Sequence, residues 1–236
     1  MEMTLRSNTN TARLAASLFF FVCIPLFFWE DSAVRSRIFV AQDPIATASN
    51  LLSNEFVFRA ATISHVVGTI IYVFMMMMFV RVFRPVDKHL SRLMIAPLLV
   101  QIPIVLILEI FNITALMTLK SEARPTFDVG QQQEAAYFLL RMYRFGMGTG
   151  KLFFGLSLIP FGMLVLKSGF TPRIIGILLI IGGVGYVGDF SIYVLLQRPD
   201  YLTVRSILMF TYLTYMLALL WFLIKGVRDP NPIVNQ

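Results

Sequence analysis

Six apolar stretches divide the chain, each bounded by charged or turn-forming residues. They run approximately from Leu14 to Trp29, Phe56 to Val80, Leu93 to Leu119, Ala135 to Leu166, Ile174 to Leu196 and Val204 to Ile224. A hydrocarbon core about 30 Å thick takes roughly 20 helical residues at 1.5 Å each, so each stretch is of the right order to span a bilayer. Composition agrees: 57% of the 236 residues are hydrophobic and 14% charged, and mean hydropathy is +0.75. Water-soluble domains carry about 25% charged residues, so these charges are too few to clothe a soluble surface. The expectation is an all-α, six-helix transmembrane bundle forming a single integral membrane domain over residues 1–236. Arg6 and Arg13 ahead of the first stretch mimic a secretory signal, but Pro25, Trp29 and Glu30 make a poor cleavage region. That stretch is therefore expected to stay as a span, with Trp29 as its interface anchor.

Charge placement orients the spans. On the side of the N-terminus lie ten bases, Arg6, Arg13, Arg81, Arg84, Lys88, Arg92, Lys167, Arg173, Lys225 and Arg228, against Glu2, Asp87 and Asp229. The opposite side holds seven bases against eight acids. Lys and Arg are retained on the cytoplasmic face, which predicts both termini inside. The two sides carry +7 and −1, the spans carry +1, and together they account for the formal charge of +7. The basic balance is therefore a topology signal, with anionic lipid headgroups as the natural partner of the inner face. No Lys/Arg run and no basic-aromatic interleaving points to nucleic acid.

The connections are short. The longest, Glu30 to Glu55, has room for a short interfacial helix over the outer mouth. Lys120 to Glu134, with Pro125, Gly130 and three glutamines, reads as a turn before the fourth span. Between the fourth and fifth spans, Gly169 can end a helix in a left-handed conformation, Thr171 can cap the next, and Pro172 suits its first position. Asp229-Pro230-Asn231-Pro232 is expected to stop the last helix, because proline cannot continue one.

The polar residues inside the spans carry the functional information, since each is costly there without a partner or water. Tyr137, Arg141, Arg144, Gly148, Lys151, Gly155 and Gly162 fall within an arc of about 80° at 100° per residue. The result is one basic, glycine-lined face, which glycines every seventh residue would turn toward a neighbouring helix. The fifth span offers Gly182, Gly185, Tyr186, Asp189 and Tyr193 on one side, Asp189 being the obvious counter-ion. Glu109 lies one turn from Asn112 on the third span, and His65 shares a side with Gly68, Thr69 and Tyr72 on the second. Arg144, Asp189, Glu109 and His65 come out roughly 9–12 Å from the outer ends of their spans, with Lys151 deeper, near 20 Å.

Other chemistries are poorly served. The single cysteine, Cys23, excludes an internal disulfide and a CxxC pair. Only His65 lies within a span, so a bis-histidine haem has no second ligand, and no HExxH zinc motif occurs. Ser157 falls about 160° from the basic face, away from any rhomboid-type catalytic arrangement. Lys151 on a fourth of six spans does not match a seven-helix retinal protein. No metal and no cofactor is expected. Met75 to Met78 cover every face of their helix and read as flexible apolar filler.

Several segments carry a resemblance. Thr11-Ala12-Arg13-Leu14-Ala15, Phe83-Arg84-Pro85-Val86-Asp87-Lys88, Leu152-Phe153-Phe154-Gly155-Leu156, Lys167 through Gly176 and Gly182-Gly183-Val184-Gly185-Tyr186 resemble the bacterial membrane family called domain of unknown function 4386. The resemblance covers nearly the whole chain and is most specific from Leu152 to Tyr186. It implies a six-helix protein of the bacterial cytoplasmic membrane and carries no activity or catalytic residue.

Three intramembrane bases against two acids leave +1, which favours water or an anion nearby. The expected role is binding or transport of a small polar or anionic molecule, or a lipid headgroup, in an outer-half cavity lined by Arg141, Arg144, Lys151, Asp189, Glu109, His65, Tyr137 and Tyr186. One alternative is a structural or assembly protein whose charges pair only with one another, Arg144 or Lys151 with Asp189 and Arg141 with Glu109. Another is an intramembrane enzyme using His65 or Glu109 as acid or base.

Overall fold

A computed structural model describes residues 2–30, 37–120, 127–169, 171–196 and 202–227. Every regular element among them is helical: α1 (Glu2–Leu18), a π-helical turn (Phe19–Cys23), α2 (Ile24–Glu30), α3 (Pro44–Ser53), α4 (Glu55–Phe83), α5 (Lys88–Leu119), α6 (Val129–Ser168), α7 (Arg173–Leu196) and α8 (Leu202–Lys225). Five candidate spans are long and apolar enough to cross a membrane: Asn8–Trp29, Glu55–Phe83, Lys88–Leu119, Val129–Ser168 and Arg173–Ile192. The described side chains of α8 add a shorter apolar helix, Leu213–Lys225. A helical membrane architecture follows.

The helix ends refine the sequence reading. Asp43 caps α3 by accepting from the N–H of Ala46, with Pro44 in the first turn, so the Glu30 to Glu55 connection does hold a short helix. Val129 opens α6 earlier than expected. Asp128 accepts from the Gln131 N–H at 2.8 Å while the Gln131 side chain accepts from the Asp128 N–H at 3.1 Å. This reciprocal cap draws Gly130 and the three glutamines into the helix, where they had read as a turn. Gly169 has φ +66°, as expected of a helix-ending glycine. Thr171, in contrast, makes no cap: α7 starts at Arg173, and the Thr171 hydroxyl is buried without a partner among the described residues. α8 ends at Lys225 because Gly226 turns left-handed at φ +65°, several residues before the prolines, which lie outside the described residues.

The chain divides into two compact units. The first comprises Met1–Phe21, Tyr72–Gln101 and Thr149–Gln236, the second Val22–Ile71 and Ile102–Gly148. In the first unit α6 and α7 meet backbone to backbone. A Cβ added at Gly155 would stand 2.8 Å from the carbonyl oxygen of Gly183, and one at Gly183 would stand 2.7 Å from that of Gly155. Seven residues along, Gly162 and Gly176 repeat the reciprocal contact at 2.6 and 2.8 Å. In lipid, helices associate through close packing rather than water exclusion, and glycine makes that approach possible. The α7 glycines on this seam are Gly176 and Gly183, spaced by seven to match α6. Beside this seam, Phe79, Phe83, Phe161 and Phe222 pack ring against ring at centroid distances of 5.3 to 6.3 Å. Met75 and Met76 are buried while Met77 is exposed, the behaviour of a gap-filling run. Ser157 is buried and donates to the Met94 carbonyl at 2.6 Å. At the chain ends, the Thr9 hydroxyl donates to Val227 O at 2.8 Å, and Arg13 donates to Ile224 O at 3.1 Å. Arg13 thereby satisfies a carbonyl that the end of α8 leaves open.

The second unit has an apolar core of Ile38, Leu51, Phe58, Ala115, Leu116, Ala136 and Leu140. Glu55 binds both Arg59, at 2.8 Å, and Lys120, at 3.0 Å, beside it.

Candidate functional site

On α6, Ala136, Leu140 and Tyr143 follow one another at i, i+4 and i+7 and are all buried, which defines the inner face of this helix in the second unit. Arg141 and Arg144 each come one residue later, 100° round the helix, and both are exposed. The arc drawn from sequence turns these bases inward, whereas both side chains are exposed. Neither arginine forms an ion pair with a described residue. Arg144 instead places its guanidinium carbon 4.1 Å from the centroid of the Phe39 ring. Phe39 is itself stacked on Tyr137 at 5.1 Å, and the Tyr137 hydroxyl accepts from the N–H of Gln42 at 2.7 Å. The segment leading into α3 is fastened by these contacts across Tyr137 and Arg144. Phe39 escaped sequence reasoning because cation–π stacking leaves no charge pattern to find.

Deeper in the same unit is a polar cluster. His65 of α4 and Glu109 of α5 are 4% and 3% exposed, and His65 Nδ1 meets Glu109 Oε1 at 2.5 Å. The other carboxylate oxygen accepts from Asn112 Nδ2 at 2.9 Å, one turn along α5. Asn112 Oδ1 is buried without a partner among the described residues. The ring of His65 is flanked by Phe27 of α2 and Tyr143 of α6, both edge-on, at 6.0 and 6.4 Å. Thr69 closes the turn by donating to the His65 carbonyl. Glu109 is therefore held by His65 and Asn112, and the Arg141–Glu109 pair of the structural alternative is not formed. Helix spacing alone places His65 and Glu109 at similar depth; it cannot say that residues 44 positions apart share a contact, nor bring in Tyr143.

Lys151, Asp189 and Tyr186 belong to the first unit. Lys151 is exposed and Asp189 half-buried. They lie in electrostatic range of one another without an ion-pair contact. Tyr186 is buried, its ring edge-on to Phe154 at 5.2 Å and its Cβ packed against Gly155. The side chain of Tyr193 lies outside the described residues. No group of three or more His, Cys, Asp or Glu able to hold a metal occurs among the described residues.

Comparison with known proteins places the chain. The family model described as domain of unknown function (DUF4386) matches residues 15–226. An uncharacterized protein of Archaeoglobus fulgidus is 35% identical over 89 residues, which is 38% of this chain and 51% of that protein. The chain thus spans about half the length of this curated relative. No solved structure matches. With the match running from the first span to the end of the last helix, the chain belongs to the DUF4386 family.

Proposed function

We propose that this multi-pass membrane protein, with six spans and both termini on the cytoplasmic side of a bacterial inner membrane, binds or moves a small polar or anionic molecule or a lipid headgroup. Arg141 and Arg144 supply the attracting charge in the second unit, and exposed Lys151, in electrostatic range of Asp189 without touching it, supplies it in the first. The observation that carries this reading is the state of Arg144, whose guanidinium rests on Phe39 with no carboxylate from a described residue against it. An arginine stacked in this way keeps its edge donors for a phosphate or carboxylate. Tyr137, bonded to Gln42, holds the covering segment in place at the same spot.

The test uses nanodiscs of phosphatidylcholine doped with phosphatidylglycerol, with inorganic phosphate as a soluble competitor. Retention of the anionic lipid by the wild type, and its loss in Arg141→Gln/Arg144→Gln, is the expected result. Displacement by phosphate identifies a soluble anion as the ligand class; lipid retention unaffected by phosphate identifies a headgroup. Equal retention in wild type and double variant overturns the proposal.

A structural role is the second reading, favoured by the way both oxygens of Glu109 are satisfied inside the protein. On that reading the charges only hold helices together, and their removal would cost stability without changing any binding.

A further inference from the structure

The His65, Glu109 and Asn112 cluster has a proton count that its geometry restricts. An amide nitrogen only donates, so the Asn112 Nδ2 contact makes Glu109 Oε2 an acceptor. One proton then lies between Glu109 Oε1 and His65 Nδ1, 2.5 Å apart, and it belongs to Nδ1, an imidazole nitrogen being ordinarily more basic than a carboxylate oxygen. That contact leaves His65 Nε2 as the exchangeable nitrogen. With Nε2 bare, the cluster carries a net negative charge; with Nε2 protonated, it is neutral. No lysine or arginine among the described residues forms an ion pair with Glu109. Among the described residues, the groups that meet the imidazole are Glu109 from α5, the rings of Tyr143 from α6 and Phe27 from α2, and Thr69 through the backbone of α4. The exposed bases of α6, Arg141 and Arg144, do not contact it. The proton is therefore the ligand that removes an otherwise uncompensated buried charge. Asn112 Oδ1, buried with an open acceptor beside the carboxylate, adds a position where a proton-bearing water can be received.

We propose that His65, Glu109 and Asn112 form an intramembrane proton-binding site, loaded and emptied at His65 Nε2 while the Nδ1 proton stays locked to Glu109. Loading is a single transfer: the Nε2 lone pair takes a proton from hydronium and releases water, with no other bond made or broken. The site stands without the anion-binding reading, since it uses neither arginine.

The chain has two histidines, His65 and His89, so a His89→Asn variant labelled with 15N-histidine gives one ring to observe by NMR in nanodiscs. The expected spectrum keeps Nδ1 protonated from about pH 4 to pH 10 while Nε2 gains one proton in a single step inside that range. Glu109→Leu, which leaves Nδ1 no acceptor, should abolish the lock, with loss of the persistent Nδ1–H signal. The proposal is overturned by an Nε2 that stays protonated or stays bare throughout the range, or by a bare Nδ1. The titration of the wild-type cluster decides the matter even where the Glu109 variant fails to fold. Lipid retention by the arginines is read separately, so either idea can fail alone.

Discussion

The two units solve the same problem, holding helices together where there is no water to exclude, by different means. The first uses shape: the Gly155/Gly183 and Gly162/Gly176 contacts bring backbones together, phenylalanines fill the space beside them, and Ser157 satisfies its hydroxyl on a backbone carbonyl. The second buries a histidine, a glutamate and an asparagine in one cluster. A close backbone seam is sensitive to added atoms, whereas a buried polar cluster is sensitive above all to a missing partner. The glycine seam has one arrangement. The polar cluster is where the proposed proton site lies, which makes the second unit the place to look for activity.

The contrast can be broken by substitution. The largest effect is expected for Gly162→Leu. Its Cβ alone would lie 2.6 Å from a backbone oxygen that cannot move aside, so folded yield in detergent should collapse; Gly162→Ala should cost about 1–3 kcal/mol in a reversible unfolding assay. An unchanged melting temperature for both would remove shape as the organising principle of the first unit. Next comes Glu109→Ala, which strands His65 and Asn112 as buried polar groups at a cost of about 1–3 kcal/mol. His65→Ala/Glu109→Ala should recover part of that loss, and full additivity would mean that the pair does not interact. Smaller again is Ser157→Ala, expected at roughly 0.6–1 kcal/mol by thermal unfolding in nanodiscs, the scale of a single hydrogen bond between membrane helices.

The smallest effect concerns pH. The hydrogen bond from Lys167, at 2.7 Å, followed by the backbone N–H of Leu90, holds the Asp87 carboxyl below its ordinary range. A lowered value in the folded state means that the stabilisation is complete above the usual carboxylate pKa of about 4 and is lost as pH falls through the folded value. Melting curves of wild type and Asp87→Asn should therefore differ slightly at neutral pH and converge in acid. Divergence on acidification would be the wrong sign.

How much was legible follows from the length scale of each signal. Hydrophobic length located the helices, and glycines seven apart announced the tight face of α6, because both patterns live within one segment. Gly169 was readable for the same reason. The Asp128–Gln131 cap is equally local, yet it was masked by glycine and glutamine residues that resemble turn chemistry until the two reciprocal bonds are seen. Arg141 and Arg144 were placed on the right helix but on the wrong side of its edge, because an arc tells which residues travel together and not which way they face. The His65–Glu109 contact joins two helices, and no periodicity within either one encodes it.

The clasp of Thr9 and Arg13 on Val227 and Ile224 spans almost the entire chain. During synthesis it cannot close until the ribosome has delivered α8, and with it everything in between, including all of the second unit. Helix α1 must therefore wait in the lipid, inserted before α8 and fastened only after it, and any insertion that delays α8 would prolong that wait.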